Sequence, residues 1–298
     1  MRNFLKNNLV FALKTISIFL VVCFVFNNYS SVPIKSKKFV LKSKKNIEIL
    51  IMGSSHAYTG VNPDELSYSS INLSNNNRLL INDIYIVNNL ISTLPNIKAI
   101  IMPSDYFSLW NGLKDDNYKK TKIHFDLNVS LWDKLLHPQL CRFSCTKDGR
   151  GVGNGYHPNY KKFSEFDEIK KKKLVKNRID YFHNKMLLAG KSSLYSDLLN
   201  SLQDMMRLCN DIKIKVLFVE YPVVSELENK YIDSLKNINL TDYAIKNNWN
   251  VLNLNKSDFN DSLFNDPDHL NTNGSFKATK MIDSVLMNIL KPKINAIY

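Results

Sequence analysis

Beyond residue 45 the chain alternates short apolar runs with longer stretches in which apolar residues recur every three or four positions. The short runs are Ile47 to Met52, Ser70 to Leu73, Ala99 to Met102, Ile214 to Glu220 and Asn250 to Leu254. They are aliphatic or β-branched with little alternation, as strands covered on both faces are. Helical spacing predicts helices over Leu79 to Leu94, Ser193 to Cys209, Glu226 to Asn237 and Thr272 to Leu290. Strands alternating with helices predict an α/β fold, a mostly parallel five-stranded sheet covered by helices. Between Tyr106 and Gly190 the pattern dissolves into aromatic, polar and basic residues, over a span too long for a simple βα connection. Residues 111–190 are read as an insertion or lid beside the functional edge of the sheet. No internal repeat is visible.

The one long apolar run precedes this pattern. From Leu9 to Phe26 only Lys14, Thr15 and Ser17 interrupt it, and the run is about as long as a helix that crosses a hydrocarbon core. Lys14 lies near its start, where it can reach the interface. Phe24-Val25-Phe26-Asn27-Asn28 offers no small-x-small cleavage site, which favours an uncleaved anchor over a signal peptide. The expected organisation is an N-terminal membrane anchor over 1–26, a basic linker over 27–45 and one domain over 46–298. Arg2, Lys6 and Lys14 precede the run, whereas Lys35, Lys37, Lys38, Lys42, Lys44 and Lys45 follow it. Charge counting alone would leave the body of the protein inside the cell.

Composition narrows the function classes. The 298 residues, 44% hydrophobic, can bury a sizeable core, and the formal net charge of +13 brings nucleic acid and anionic membranes into consideration. The lysines cluster at Lys35 to Lys45 and Lys170 to Lys173, without a zinc finger, a helix-turn-helix or an aromatic RNA-binding signature, so nucleic acid is not an expected partner. Of four cysteines, Cys23 lies in the apolar run; Cys141, Cys145 and Cys209 form neither a CxxC pair nor a zinc-ligand series. Neither a metal nor a cofactor is implied. Cys141 and Cys145 form either a small-loop disulfide or two thiols. Gly149, Gly151, Gly153 and Gly155 superficially match a dinucleotide loop, but no strand precedes them and no helix pattern follows at once, which leaves a flexible loop or lid.

The chemistry concentrates in two short motifs. Gly53-Ser54-Ser55-His56 directly follows the run Ile49 to Met52, and Asp266-Pro267-Asp268-His269 precedes the last helix. A serine hydroxyl is a poor nucleophile until an imidazole takes its proton, and a carboxylate on the far ring nitrogen fixes the tautomer. Ser55, His269 and Asp266 suit those roles. In a parallel sheet ligands bind beyond the carboxyl ends of the strands, where both motifs fall. The plainer reading makes Ser54 and Ser55 turn or N-cap residues and Asp268 or Asn271 a cap for the final helix. With only 9 glycines, Gly53 and Gly274 are expected to serve the backbone, one at the abrupt turn and one in the first turn after His269.

A Gly-x-Ser turn after the first strand, paired with Asp-x-x-His before the last helix, resembles the SGNH, or GDSL-type, hydrolase superfamily over most of the chain beyond Lys45. The strings Gly53 to Pro63 and Asp268-His269-Leu270-Asn271 are more similar to membrane-anchored members linked to bacterial surface-carbohydrate O-acylation. The resemblance implies a flavodoxin-like three-layer sandwich with Ser55, His269 and Asp266 as the triad. It also implies an exported catalytic domain on a single-pass anchor, against the lysine count, with a carbohydrate substrate and a membrane-bound O-acyltransferase partner. The family takes oxyanion donors from a glycine after the second strand and an asparagine after the third. Here Ser74 and Asn75 stand in the first place, where their amides are candidate donors, and Asp105 stands in the second, where a carboxylate is a poor substitute. Asn154 is the candidate replacement donor, and His56 either contacts substrate or stabilises the turn. Trp110, Tyr118, Trp132, Tyr156 and Tyr160 are candidates for sugar stacking or for packing, and Tyr221 and Pro222 either line the cleft or end a strand. The expected function is a serine acyl-transfer enzyme, an O-acetyltransferase or acetylesterase on cell-surface polysaccharide. The alternative is a non-catalytic glycan-binding or assembly protein on the same scaffold.

Overall fold

The computed structural model describes residues 8, 10–21, 45–76, 78–105, 107–109, 156–189, 194–231 and 240–291. Five strands form one sheet: β1 (Ile49–Ile51), β2 (Ser70–Asn72), β3 (Ala99–Pro103), β4 (Lys215–Glu220) and β5 (Asn250–Asn253). Their order is β2-β1-β3-β4-β5 and every pairing is parallel. Ile49, Leu50 and Ile51 are fully buried, as are Ile100 and Ile101 of β3 and Leu217, Phe218 and Val219 of β4. Each such side chain contributes about 1.5–3 kcal/mol by leaving water, which is why these runs carry no polar alternation. The chain leaves β1 towards β2 and then crosses back to β3, so a crevice opens beyond the carboxyl ends of β1 and β3.

Helices supply the outer layers. α1 (Ser55–Gly60) follows β1 at once, and α2 (Leu80–Leu90) joins β2 to β3. α3 (Glu168–Ala189) and α4 (Leu194–Asp211) precede β4, while α5 (Ser225–Tyr231) and α6 (Leu240–Lys246) lie between β4 and β5. Two short antiparallel strands, β6 (Phe264–Asp266) and β7 (His269–Leu270), lead into the last helix, α7 (Thr272–Leu290). α2 packs on α4, and α7 packs on α1. Right-handed crossovers send these two pairs to opposite faces of the sheet, a three-layer arrangement. α4 buries Leu198, Leu202, Met205 and Cys209 at helical spacing. α7 starts where Asn271 Oδ1 accepts from the amides of Asn273 and Gly274, both at 3.1 Å, and buries Ala278, Ile282 and Leu286 along one stripe.

The expected strands all form, one to three residues shorter or at shifted ends, and α7 has the expected limits. α2 ends at Leu90, and its last expected turn is a 3-10 turn over Ile91–Thr93. α5 begins at Ser225, and the rest of the expected helix, beyond Tyr231, lies outside the described residues. Of the expected insertion, residues 111–155 lie outside the described residues, while α3 is a helix that places Val175 and Phe182 in the core. The N-terminal run is described only at residue 8 and over 10–21, where it is helical with exposed apolar side chains such as Phe11 and Ile18. Among the described residues no helix is long and apolar enough to cross a membrane, and the expected transmembrane helix is not supported.

Candidate active site

The turn after β1 is built by Gly53. Its φ of +134° is a conformation that side-chain-bearing residues rarely adopt, and a Cβ there would stand 2.9 Å from that of Ala57. Ser54 caps the short helix: its Oγ receives the His56 amide and donates to Asp105 Oδ2, both at 3.4 Å. Ser54 therefore faces inward. Ser55, at the first helical position, points the other way, and its Oγ lies 2.8 Å from His269 Nε2.

The imidazole and its carboxylate come from the β6–β7 hairpin. Asp266 Oδ1 accepts from the amides of Asp268 at 3.2 Å and His269 at 3.0 Å, so one carboxylate shapes the turn that presents the ring. The same carboxylate receives His269 Nδ1, at 2.9 and 3.0 Å from its two oxygens. A carboxylate can only accept, which assigns the proton to Nδ1 and leaves the Nε2 lone pair facing the Ser55 hydroxyl. The structure thus brings Ser55, His269 and Asp266 into one chain of hydrogen bonds. The side chains of His269 and Asp266 are 17% and 34% exposed, so the group sits at the surface of the crevice.

Beneath it lies a row of buried charges. His56 Nδ1 is 3.1 Å from Asp105 Oδ1, and its Nε2 is 3.1 Å from Asp268 Oδ2. Burial, the strongest single influence on His56, would lower its pKa, but the two carboxylates outweigh it and raise the value to about 9. Burial would likewise raise Asp268, yet His269, the His56 hydrogen bond and Arg178 together hold its carboxyl well below the usual range. Arg178 of α3 donates to Asp268 through Nε at 2.5 Å and through Nη2. Next to Asp105 on the inner side, Asp83 is raised to about 7 chiefly by burial, opposed by Arg78 at 3.5 Å.

Four of the expected binding residues occupy other roles. The Ser74 amide donates to Asn72 Oδ1 at 3.0 Å and the Asn75 amide to Gly53 O at 3.0 Å, so neither is available as an oxyanion donor. The Asn72 side chain that receives Ser74 also donates to Ala57 O and Val61 O, tying β2 to the end of α1. Asp105 contacts His56 and Ser54, and Tyr221 N also approaches it at 3.4 Å. His56 is 2% exposed and supports the site from within rather than meeting a substrate. Asn154 lies outside the described residues, as do Trp110, Tyr118, Trp132, Cys141, Cys145 and the four-glycine run. Tyr156 is half-buried beside Ser275 and Thr272, and Tyr160 is exposed. Tyr221 is 1% exposed with its ring 6.3 Å from His56, in the interior rather than on the crevice wall. Arg178 was missed by sequence reasoning, since nothing local distinguishes it from the lysines around it.

His56, Asp268 and His269 each bring a metal-ligand type of atom within 4.8 Å of one another. Those side chains are already engaged, His56 Nε2 and Arg178 on Asp268 Oδ2 and His269 Nδ1 on Asp266.

No protein-family model matches the chain, and no curated protein does. Among solved structures, the crystal structure of a candidate acylhydrolase from Bacteroides fragilis is similar in fold at a TM-score of 0.42 and 11% identity, covering 85% of this chain and 97% of that one.

Proposed function

We propose that the chain is a serine acyl-transfer enzyme, an esterase or O-acyltransferase, with Ser55 as nucleophile, His269 as general base and Asp266 as the carboxylate that orients it. The observation that carries this reading is the Ser55 Oγ to His269 Nε2 distance of 2.8 Å together with the Asp266 contacts on Nδ1. A nucleophile and base need hydrogen-bond reach of about 2.6–3.2 Å, with the base oriented by a third group.

Ser55 Oγ attacks an acyl carbonyl while Nε2 takes its proton; the tetrahedral oxyanion collapses, and the leaving oxygen departs with the proton from the imidazolium. Water or a sugar hydroxyl then gives its proton to His269 and attacks the acyl-Ser55 ester, and Ser55 regains its proton on release. Asp266 stabilises the imidazolium in both halves. The Ser55 amide is one of the first N–H groups of α1, which have no acceptor within the helix, and it serves as the oxyanion donor in this reading. Transfer to a surface polysaccharide, rather than hydrolysis, is the finer part of the proposal and rests on the similarity of Gly53 to Pro63 and Asp268 to Asn271 to surface O-acylation proteins. An anchoring role for the N-terminal run, on a membrane-bound protein with its domain outside the cell, is proposed on the exposed apolar side chains of residues 10–21.

The engagement of the Ser74 and Asn75 amides favours a second reading, a glycan-binding or assembly protein that keeps the scaffold without turnover. A fluorophosphonate probe separates the two. Labelling at Ser55, abolished in Ser55→Ala together with release of p-nitrophenol from p-nitrophenyl acetate, supports the enzyme; a folded chain that never labels supports the binder.

A further inference from the structure

Asp268 touches more charged groups than any triad residue needs. Its side chain is 1% exposed, and its Oδ1 lies 3.4 Å from His269 Nδ1, beside the Asp266 contacts. Its Oδ2 is shared by His56 Nε2 and the Arg178 guanidinium. That guanidinium is itself fixed, with its carbon 4.7 Å from the ring centre of Phe182 and 5.2 Å from that of Tyr181. Phe182 stacks on Phe107 at 5.5 Å, and Phe107 meets the edge of His56 at 5.0 Å. One turn of α3 is thereby joined to the back of the site by a charge and by a ring.

We infer that Arg178 is a positioning residue for His269, acting through Asp268, so that the base is correctly set only with helix α3 docked. This rests on the reading of His269 as the general base. The row Asp105, His56, Asp268, Arg178 alternates in sign and balances. Without Arg178, one imidazolium faces two buried carboxylates, and Asp268 turns its uncompensated charge on the nearest proton-bearing group, the Nδ1 of His269. Asp268 then competes with Asp266 for Nδ1, which rotates the ring and lengthens the contact with Ser55.

Other charged and titratable groups border the row. His269 faces Ser55, Asp266, Asp268 and the His56 ring; Asp268 faces His56 and Arg178; Asp105 faces His56, Ser54 and the Tyr221 amide and lies within electrostatic reach of Asp83 and Glu220. Arg78 and Asp83 pair with each other at 3.5 Å beyond them. None of these replaces the positive charge of Arg178 beside Asp268.

Arg178→Gln is the decisive variant, because an amide can still donate to Asp268 while the charge is gone; Arg178→Lys keeps the charge without the fork. In the full chain labelled with 15N-histidine and held at one pH, the His269 Nδ1 proton resonance, set by its hydrogen bond to Asp266, should move in Arg178→Gln relative to wild type. Turnover of p-nitrophenyl acetate should show kcat lowered about tenfold with KM little changed. Arg178→Lys should return most of both effects. An unmoved Nδ1 resonance in Arg178→Gln overturns the proposal, as does a rate loss that Arg178→Lys fails to restore. If wild-type protein turns over no ester, the acyl-transfer reading falls, and the Nδ1 resonance still decides whether Arg178 acts on His269.

Discussion

Raising the pH should weaken the fold through a single imidazole. His56 is fully enclosed between Asp105 and Asp268, and the two carboxylates, against the opposing effect of burial, raise its pKa from 6.5 to about 9. In the unfolded chain the same ring titrates near 6.5. A group whose folded pKa is raised stabilises the fold in its protonated form, so the contribution is complete below about pH 6.5 and is lost as pH climbs through about 9. At about 1.4 kcal/mol per pH unit the interval amounts to about 3 kcal/mol, a large part of the roughly 5–15 kcal/mol that holds a domain folded. The assay is urea unfolding of the full chain at steps from about pH 6 to about pH 9.5, compared with His56→Gln. Asp83, raised to about 7 mainly by burial, acts below most of this window, and Cys209, raised to about 11 by burial, acts above it. Both are common to the two proteins, so the difference isolates His56. Wild type should lose about 3 kcal/mol more than the variant across the window. Parallel curves would refute the reasoning and show that His56 carries no proton in the folded protein at neutral pH.

Asp266→Asn keeps the hairpin's shape but lets an amide nitrogen face Nδ1; activity against p-nitrophenyl acetate should fall by about 1,000- to 10,000-fold with Tm little altered, as for a base held in the wrong tautomer. Gly274→Ala should lower stability by about 2–3 kcal/mol in urea titration, because the new Cβ would stand 2.1 Å from the Leu263 carbonyl oxygen and 2.8 Å from Leu270 Cδ2. A variant as stable as wild type would mean that α7 can shift along the hairpin without cost.

The central strands were legible because burial on both faces favours unbroken apolar runs; Ile49-Leu50-Ile51 and Val216 to Val219 carry that signature in their composition alone. α4 and α7 were legible from spacing, and Asn271 marked the start of α7. α1 was not, since a six-residue helix has too few turns to show a period. α3 was hidden by its own solvent face: Glu168 to Lys173 holds four consecutive lysines, and Val175, Arg178 and Phe182 show as an inward stripe only once Asp268 and Phe107 are known to lie behind them. Ser55, Asp266 and His269 could be named because each motif is local. The charge row could not, because His56 meets one of its two carboxylates, Asp268, 212 positions away along the chain. The engagement of the Ser74 and Asn75 amides is not local either: one meets an Asn72 side chain that also binds α1, and the other meets the Gly53 carbonyl after β1.

The hairpin that presents His269 has one more consequence. Acid and imidazole sit three residues apart on a turn whose own amides are held by the acid, so they travel together. The serine rides on a separate piece, the knot of Gly53, Ser54 and Asn72. Whatever loosens the protein near its crevice, the machinery can come apart along a single seam, and one interatomic separation, Ser55 Oγ to His269 Nε2, is the dial on which that loosening would be read.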